Sequence, residues 1–496
     1  MLFNEQSFIF IFLPVVLVGL VLLRCISLKF SVWWVILSSL FFYGFHAWEH
    51  VALLAGSIAF NYGFGLAIEK SANPRKRHYL LLFGVLLNLA LLAVFKYADF
   101  LLGVLSAGQT LGLALPLAIS FFTFQQIAYL VDIRKGKVSS PGFLHYSFFV
   151  SFFPQLIAGP IVRCQHILPQ LKKGALGKLS SEWIWTGLCL FSIGLFKKAC
   201  LADGIRPLAE SIFTASTEGV VLSLAEAWVG ATAFGLQIYF DFSAYSEMAL
   251  GLGLLFGLRL PLNFNSPYKA VSMIDFWRRW HITLSEFLRD YLYKPLGGNR
   301  LGVARAITNV MLVMVLGGLW HGAGWTFVVW GAFHGSMIGA NHLFRAWRKS
   351  DGKSESSLVR TLPFRVATFA TITLAWVFFR SEEFAPAFEM IESMLGFNGL
   401  DLPRVLGAVS QSDYFTFGGL FPNQVAQLGL LPFLAILLLL VWLSPNALNL
   451  LKVDSDLNSK IELPSGKLIF LCGLLFFWGV KVSFESITYD FIYFRF

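Results

Sequence analysis

Long apolar stretches alternate with short polar loops along the whole chain. Segments 7–23, 79–95 and 428–443 each approach the roughly 20 apolar residues that an α-helix needs to cross a bilayer. Further candidates lie near 31–45, 51–68, 111–131, 183–196, 227–256, 303–319, 324–345, 363–379 and 467–482. The pattern predicts an all-α polytopic membrane protein with about 11–13 membrane helices, including re-entrant segments, around a central tunnel.

Composition and loop lengths agree with this interpretation. Of the 496 residues, 57% are hydrophobic and 13% are charged, whereas about a quarter of an ordinary soluble protein is charged. The polar stretches 345–362 and 445–466 have the length of ordinary loops, and 397–425 is a longer connection. The first apolar segment lacks a basic leader and a small-residue cleavage site, so we expect it to remain in the protein.

The positive charge is spread over short loops instead of forming one patch. The net charge is +10, and the basic residues concentrate at 70–78, 133–137, 171–178 and 344–353. Cytoplasmic loops of membrane proteins carry such an excess of Lys and Arg. Counting helices from an outside N-terminus puts 24–29, 70–78 and 133–137 on the cytoplasmic side. The charge therefore predicts topology, and no nucleic-acid partner is expected.

The middle third, 237–300, mixes acids, bases, hydroxyls and amides among aromatic residues. Polar residues between spanning helices are typical of a buried tunnel or cavity. Asp241 is an acid within an aromatic membrane segment of this region. It either pairs structurally with an arginine or a hydroxyl, or it lines the tunnel and orients a histidine or an acceptor.

Two histidines lie in apolar surroundings. In FWRRWHITLSEFL (276–288), helical spacing puts Trp277, His281, Leu284, Ser285 and Leu288 on one face. The alternative is an interfacial helix with snorkelling arginines. In LGGLWHGAGWT (316–326), glycines next to His321 permit a broken helix with room for a substrate; the alternative is a core histidine bonded to a carbonyl. Two buried imidazoles can divide proton transfer and carbonyl polarisation between them.

A metal site is a weaker hypothesis. HAWEH (46–50) matches the H-x-x-E-H pattern of inverted zinc proteases, and His46 and His50 are four residues apart. The segment lies at the end of an apolar run, where interfacial aromatics and histidines are ordinary. The five cysteines show no zinc-binding spacing. We therefore expect no metal. Two alternative functions stay open: an intramembrane metalloprotease, and a lipid-linked sugar flippase or transporter that uses 237–300 as its pathway.

Several motifs together resemble the membrane-bound O-acyltransferase family, in its alginate O-acetyltransferase-like branch. They are W-H-x-T-L-x-x-F-L-R-D-Y-L-Y-x-P-L-G-G (280–298), L-W-H-G-A-G-W-T-F-x-x-W-G-x-x-H-G (319–335), SFFPQLIAGPIVR (151–163), DFSAYSEMALG (241–251) and PLNFNSPY (261–268). The resemblance covers essentially the whole chain. It implies one integral domain over 1–496, with a catalytic core at about 115–345 and C-terminal helices with an aromatic tail at 360–496.

The resemblance also implies a reaction and its residues. An acetyl group from a cytoplasmic thioester, acetyl-CoA or a carrier-bound thiol, crosses the bacterial inner membrane for O-acetylation of alginate or a similar exopolysaccharide. No bound cofactor is implied; membrane lipids and a periplasmic SGNH-type, esterase-like acetyltransferase are the implied partners. His321 is the implied catalytic histidine and His281 its partner. The substrate and tunnel residues predicted with them are Asp241, Trp277, Arg278, Trp280, Asn263, Tyr268 and Trp320.

The chain ends in DFIYFRF (490–496). One interpretation is an aromatic anchor at the membrane interface. The other is a relay, because related envelope-acylation systems carry a similar F-x-Y-x-x-F motif whose tyrosine bears the acyl group. Phe491, Tyr493 and Phe496 fit that spacing. The second interpretation predicts Tyr493 as a third catalytic residue, with His321 as its activating base.

Overall fold

A computed structural model describes residues 1–45, 47–105, 110–157, 159–348, 358–399, 430–454, 457, 459–485 and 489–492. Within these ranges every regular element is a helix, which confirms the predicted all-α class. The principal helices are α1 Phe8–Ile26, α2 Leu28–Gly44, α3 Glu49–Lys70, α4 Pro74–Leu105, α5 Ile119–Arg134, α6 Phe143–Ser151, α7 Phe153–Leu156, α8 Cys164–Lys172, α9 Ser181–Thr217, α10 Leu224–Leu255, α11 Met273–Trp277, α12 Ile282–Leu288, α13 Gly302–His321, α14 Trp325–Arg348, α15 Leu358–Arg380, α16 Phe384–Met394, α17 Leu430–Leu443, α18 Ala447–Leu450 and α19 Gly466–Glu485.

Seven of the described helices are long and apolar enough to cross a membrane. They are Phe8–Ile26, Glu49–Lys70, Pro74–Leu105, Ser181–Thr217, Gly302–His321, Thr361–Arg380 and Gly466–Glu485. Two shorter apolar helices, α2 and α17, add to them. The multi-pass architecture is therefore confirmed.

Contacts group the chain into two compact units. The first comprises Met1–Ala199, Phe242–Asn263 and Asn446–Phe496, and the second comprises Cys200–Asp241 and Phe264–Pro445. The single integral domain expected from the sequence stays a prediction.

The first unit is held together by aromatic packing and by polar contacts between helices. The Phe3 ring stacks on Tyr245 at 4.6 Å and contacts Phe8 at 4.9 Å. Between α3 and α4, the buried side chains of Asn61 and Asn88 donate to each other, at 3.1 and 2.7 Å. Because lipid supplies little hydrophobic driving force between helices, close packing and interhelical hydrogen bonds of this kind stabilise membrane helices.

The second unit corrects one prediction from the sequence. Segment 276–288 is not one helix with a common face: α11 ends at Trp277, α12 begins at Ile282, and His281 between them has φ +42°. A non-glycine residue with positive φ cannot continue a right-handed helix. The predicted shared face of Trp277, His281 and Ser285 is therefore wrong.

The helix pair α13 and α14 confirms the predicted break at the glycines after His321. Helix α13 ends at His321 and α14 begins at Trp325. A Cβ on Gly331 of α14 would meet the carbonyl oxygen of Met314 on α13, and one on Gly318 would meet the carbonyl oxygen of Phe327. Small residues allow the two helix backbones to approach this closely.

Substitution of Gly331 tests the close approach. Gly331→Ala puts a methyl group against backbone that cannot move aside, so we expect a stability loss of about 1–3 kcal/mol, the usual cost of overpacking. Thermal unfolding in detergent measures it. Gly63→Ala is the matched control, because a Cβ there has no atom within 4 Å. Equal melting temperatures for the two variants would contradict the tight crossing.

Candidate functional site

The second unit brings the two predicted histidines together around a tryptophan. The ring of His281 lies 6.2 Å from that of Trp320, and the ring of Trp320 lies 5.0 Å from that of His321. His281 is completely buried and His321 is 3% exposed. Both imidazoles therefore lie in a region from which bulk water is excluded.

Aromatic rings from α14 and α15 enclose His321. Its ring lies 5.1 Å from Trp330 and 5.4 Å from Phe379. Beyond Trp330, at 4.6 Å between rings, lies a third histidine, the completely buried His334. The indole N–H of Trp277 donates to Nδ1 of His334 at 3.3 Å. The site thus contains three histidines in an aromatic frame, and Trp277 belongs to it.

Trp280 and Tyr268 form a wall of the same region. The Trp280 ring lies 5.1 Å from Trp376, which stacks on Trp330 at 6.1 Å. The hydroxyl of Tyr268 donates to the backbone oxygen of Gly235 and accepts from the indole N–H of Trp376. These two predicted residues are connected to the histidines through Trp376 and Trp330.

Three other predicted site residues have different positions. Asp241 is 2% exposed on α10, and its support of His281 stays a prediction. Asn263 belongs to the first unit, where its amide lies 3.4 Å from the hydroxyl of Ser246 and donates to it. Tyr493 lies outside the described residues.

The proposed metal motif is only partly described, because His46 also lies outside the described residues. Within the ranges that the structure describes, no three His, Cys, Asp or Glu side chains are grouped closely enough to hold a metal ion.

A cavity of about 520 Å³ in the second unit has Trp277 and four cationic side chains in its lining. Arg289 and Lys294 both contact Asp290, at 3.1 and 2.7 Å. Arg278 and Arg300 are exposed and have no ion-pair partner among the described residues. The cavity therefore presents two available guanidinium groups, which match the geometry of phosphate oxygens.

Helices α13 and α14 run from this cavity to the histidines. Met314 lines the cavity on α13, seven residues before His321; at 1.5 Å per residue that separation is about 10 Å. Ile338 and His342 line it on α14, one and two turns beyond His334 on the same face. About two turns of α13 therefore separate the cavity from His321.

The protonation state of His281 follows from its position. It lies between membrane-spanning segments, and burial lowers its pKa to about 3. Since the charged form is disfavoured in such an environment, His281 is neutral throughout the physiological range. A neutral imidazole acts as a hydrogen-bond donor or a proton acceptor, and not as an imidazolium acid.

His334 and Trp330 are part of the family motif at 319–335, but the sequence did not single them out as site residues. The sequence pattern that could have identified them is a spacing of four residues along α14, which relates Trp330, His334, Ile338 and His342. That pattern marks one helical face. It also fits ordinary core packing, so only the ring contacts with His321 and Trp277 identify it as part of the site.

Comparison with known proteins identifies the family of the chain. The profile of the membrane-bound O-acyltransferase family matches residues 133–379, which include His281, His321 and His334. A peptidoglycan O-acetyltransferase of Helicobacter pylori is 44% identical over 81% of each chain. A probable alginate O-acetylase of Pseudomonas aeruginosa is 37% identical over 82% of this chain and 77% of the relative.

A more distant relative is a teichoic acid D-alanyltransferase of Bacillus subtilis, which is 26% identical over 54% of this chain and 69% of its own length. The alignments with the first two relatives cover about four-fifths of this chain, and so extend well beyond the histidine motifs. The chain belongs to the membrane-bound O-acyltransferase family and is an acyltransferase.

Proposed function

We propose that the protein is an O-acetyltransferase of the bacterial inner membrane, which moves an acetyl group from a cytoplasmic thioester toward a polysaccharide of the cell envelope. The observation that carries this proposal is the buried pair His281 and His321, together with a cavity that lies about two turns of α13 from His321 and presents available arginines. The names of the two relatives that cover about four-fifths of the chain support acetyl as the acyl group.

The acceptor polymer is either peptidoglycan or an alginate-like exopolysaccharide. The 44% identity with the peptidoglycan O-acetyltransferase, against 37% with the probable alginate O-acetylase, favours peptidoglycan over the alginate expected from the sequence motifs. Ester-linked acetate measured on each purified polymer, from cells with and without the gene, separates the two. A loss confined to one polymer identifies the acceptor.

In the proposed reaction His321 is the general base. Its neutral imidazole takes the proton of the attacking hydroxyl, and the hydroxyl oxygen bonds to the thioester carbonyl carbon. When the tetrahedral intermediate collapses, the carbon–sulfur bond breaks and the thiolate takes the proton from His321. His281 polarises or orients the acyl carbonyl, and Trp320 contacts both imidazole rings.

The cationic cavity is the proposed donor site. Coenzyme A and carrier proteins both present the thioester on a phosphate-bearing arm, and Arg278 and Arg300 suit that phosphate. Arg300 directly precedes α13 and Arg305 lies in its first turn. Such basic ends of membrane helices are typically cytoplasmic. The same helix ends at His321, so a donor that enters from the cytoplasm extends toward the base.

Tyr493 is proposed as an acyl relay to a periplasmic, esterase-like partner of the SGNH type. Phe491, two residues earlier, is buried against Tyr245 at 4.6 Å and lies under the ammonium of Lys198 at 4.7 Å. This contact anchors the segment that precedes Tyr493. A phenol, with an ordinary pKa of about 10, is a better leaving group than an aliphatic alcohol, and so suits an intermediate carrier.

Alanine substitution of the two histidines tests their roles. His321→Ala removes the base and is expected to abolish polymer acetylation at unchanged protein abundance. His281→Ala removes one polarising donor and is expected to lower the rate about 10²–10³-fold. Ester acetate on the polymer and immunodetection of the protein measure both. Wild-type acetylation in His321→Ala would remove that residue from the mechanism.

The donor site is tested by charge removal. The double variant Arg278→Gln, Arg300→Gln should raise KM for acetyl-CoA at least about tenfold, since two charged hydrogen bonds to phosphate are lost. KM should also depend less on salt concentration in the double variant than in the wild type. Salt weakens donor binding by screening the attraction between arginine and phosphate, and the variant lacks these two arginines. Arg305→Gln, exposed on α13 and outside the cavity lining, is the control. Equal KM values in all three proteins would reject the cavity as the donor site.

The relay is tested with Tyr493→Phe. This variant keeps an aromatic ring and removes only the oxygen, so polymer acetylation should be lost while the protein still accumulates in the membrane. Peptide mapping of the wild type should detect an acetyl adduct on Tyr493. Full acetylation in the variant leaves Tyr493 with an anchoring role alone.

A further inference from the structure

Two buried side chains that each carry a ring N–H, Trp330 and His334, contact each other and take no part in the steps above. Trp330 is 1% exposed and His334 is completely buried. They are one turn apart on α14, with 4.6 Å between their rings. Trp330 also contacts the ring of His321 at 5.1 Å.

The hydrogen bond from Trp277 determines which nitrogen of His334 carries the proton. An indole N–H can only donate, so Nδ1 of His334 must accept and is unprotonated. The proton is therefore on Nε2. That nitrogen has no acceptor among the described residues, and the same is true of the indole nitrogen of Trp330.

Native proteins rarely bury polar groups without a partner, because such a group loses its hydrogen bond to water. Here the ring N–H groups of Trp330 and His334 are both buried without an acceptor among the described residues. The two residues are on adjacent turns, and Trp330 contacts His321, the proposed base. Two preorganised N–H groups in a dry, aromatic environment are the arrangement that binds an oxygen on which negative charge develops.

We propose that Trp330 and His334 bind the carbonyl oxygen of the transferred acyl group and stabilise it as an oxyanion. The inference rests on the proposed function. As the attacking hydroxyl oxygen bonds to the carbonyl carbon, the carbonyl electron pair moves to this oxygen, and Nε2–H of His334 and Nε1–H of Trp330 donate to it. The pair returns to the carbon when the carbon–sulfur bond breaks. His281 acts on the same carbonyl, and Trp277 is a positioning residue that holds His334 in the required tautomer.

The test separates hydrogen bonding from packing. Trp330→Phe keeps a ring and removes the N–H; His334→Leu removes the donor, and His334→Gln retains one. Trp347→Phe is the control, because Trp347 is 81% exposed on the same helix. The full-length proteins in nanodiscs are compared in two measurements: kcat for acetyl-CoA, and Kd for S-ethyl-CoA, the thioether that lacks the carbonyl oxygen.

We expect kcat to fall about 10²–10³-fold in Trp330→Phe and His334→Leu, less in His334→Gln, and not in Trp347→Phe. The Kd for S-ethyl-CoA should stay within about twofold in every variant, since the thioether has no oxygen for the two donors to bind. Wild-type kcat in both Trp330→Phe and His334→Leu would overturn the proposal. A loss of S-ethyl-CoA binding in these variants that matches their loss of kcat would also overturn it, because it indicates a packing role. If the wild-type protein neither binds S-ethyl-CoA nor turns over acetyl-CoA, the proposed donor is wrong and this inference is rejected with it.

Discussion

The close crossing of α13 and α14 is the contact on which the rest of the site depends. Gly331, Gly335 and Gly339 recur every fourth residue on α14 and pack against Met314, Met311 and Ile307 on α13. In a membrane, where lipid is as apolar as a leucine side chain, such close backbone approach supplies much of the attraction between helices. Because the glycine stripe fixes the register of the two helices, it also determines which residue of α14 meets His321.

The glycine stripe and the functional residues use neighbouring faces of one helix. Trp330 and His334 directly precede Gly331 and Gly335 in the sequence. While the glycines contact α13, the two larger side chains project into the aromatic region that contains His321. Tight packing and polar chemistry are thus combined in one short segment, and a shift of one turn in register would separate the base from its neighbours.

Aromatic enclosure gives this site its chemical character. The rings around His321 and His334 exclude water, so that each hydrogen bond in the site acts in a medium of low dielectric constant. The cationic cavity lies about two turns of α13 from His321 and presents two arginines without an ion-pair partner among the described residues. Charge recognition and acyl chemistry are therefore separated along α13 and α14.

The amino-acid sequence alone determined the all-α membrane class and most helix positions, and it predicted His281 and His321 as site residues, because apolar length and local motifs are properties of contiguous residues. It did not reveal that His281 has a left-handed backbone conformation, nor that His334 accepts from Trp277, 57 residues away. Helical periodicity assumes a continuous helix, and it contains no information on which faces meet. Only the tertiary structure decided these points, since contacts between residues distant in sequence depend on how whole helices pack.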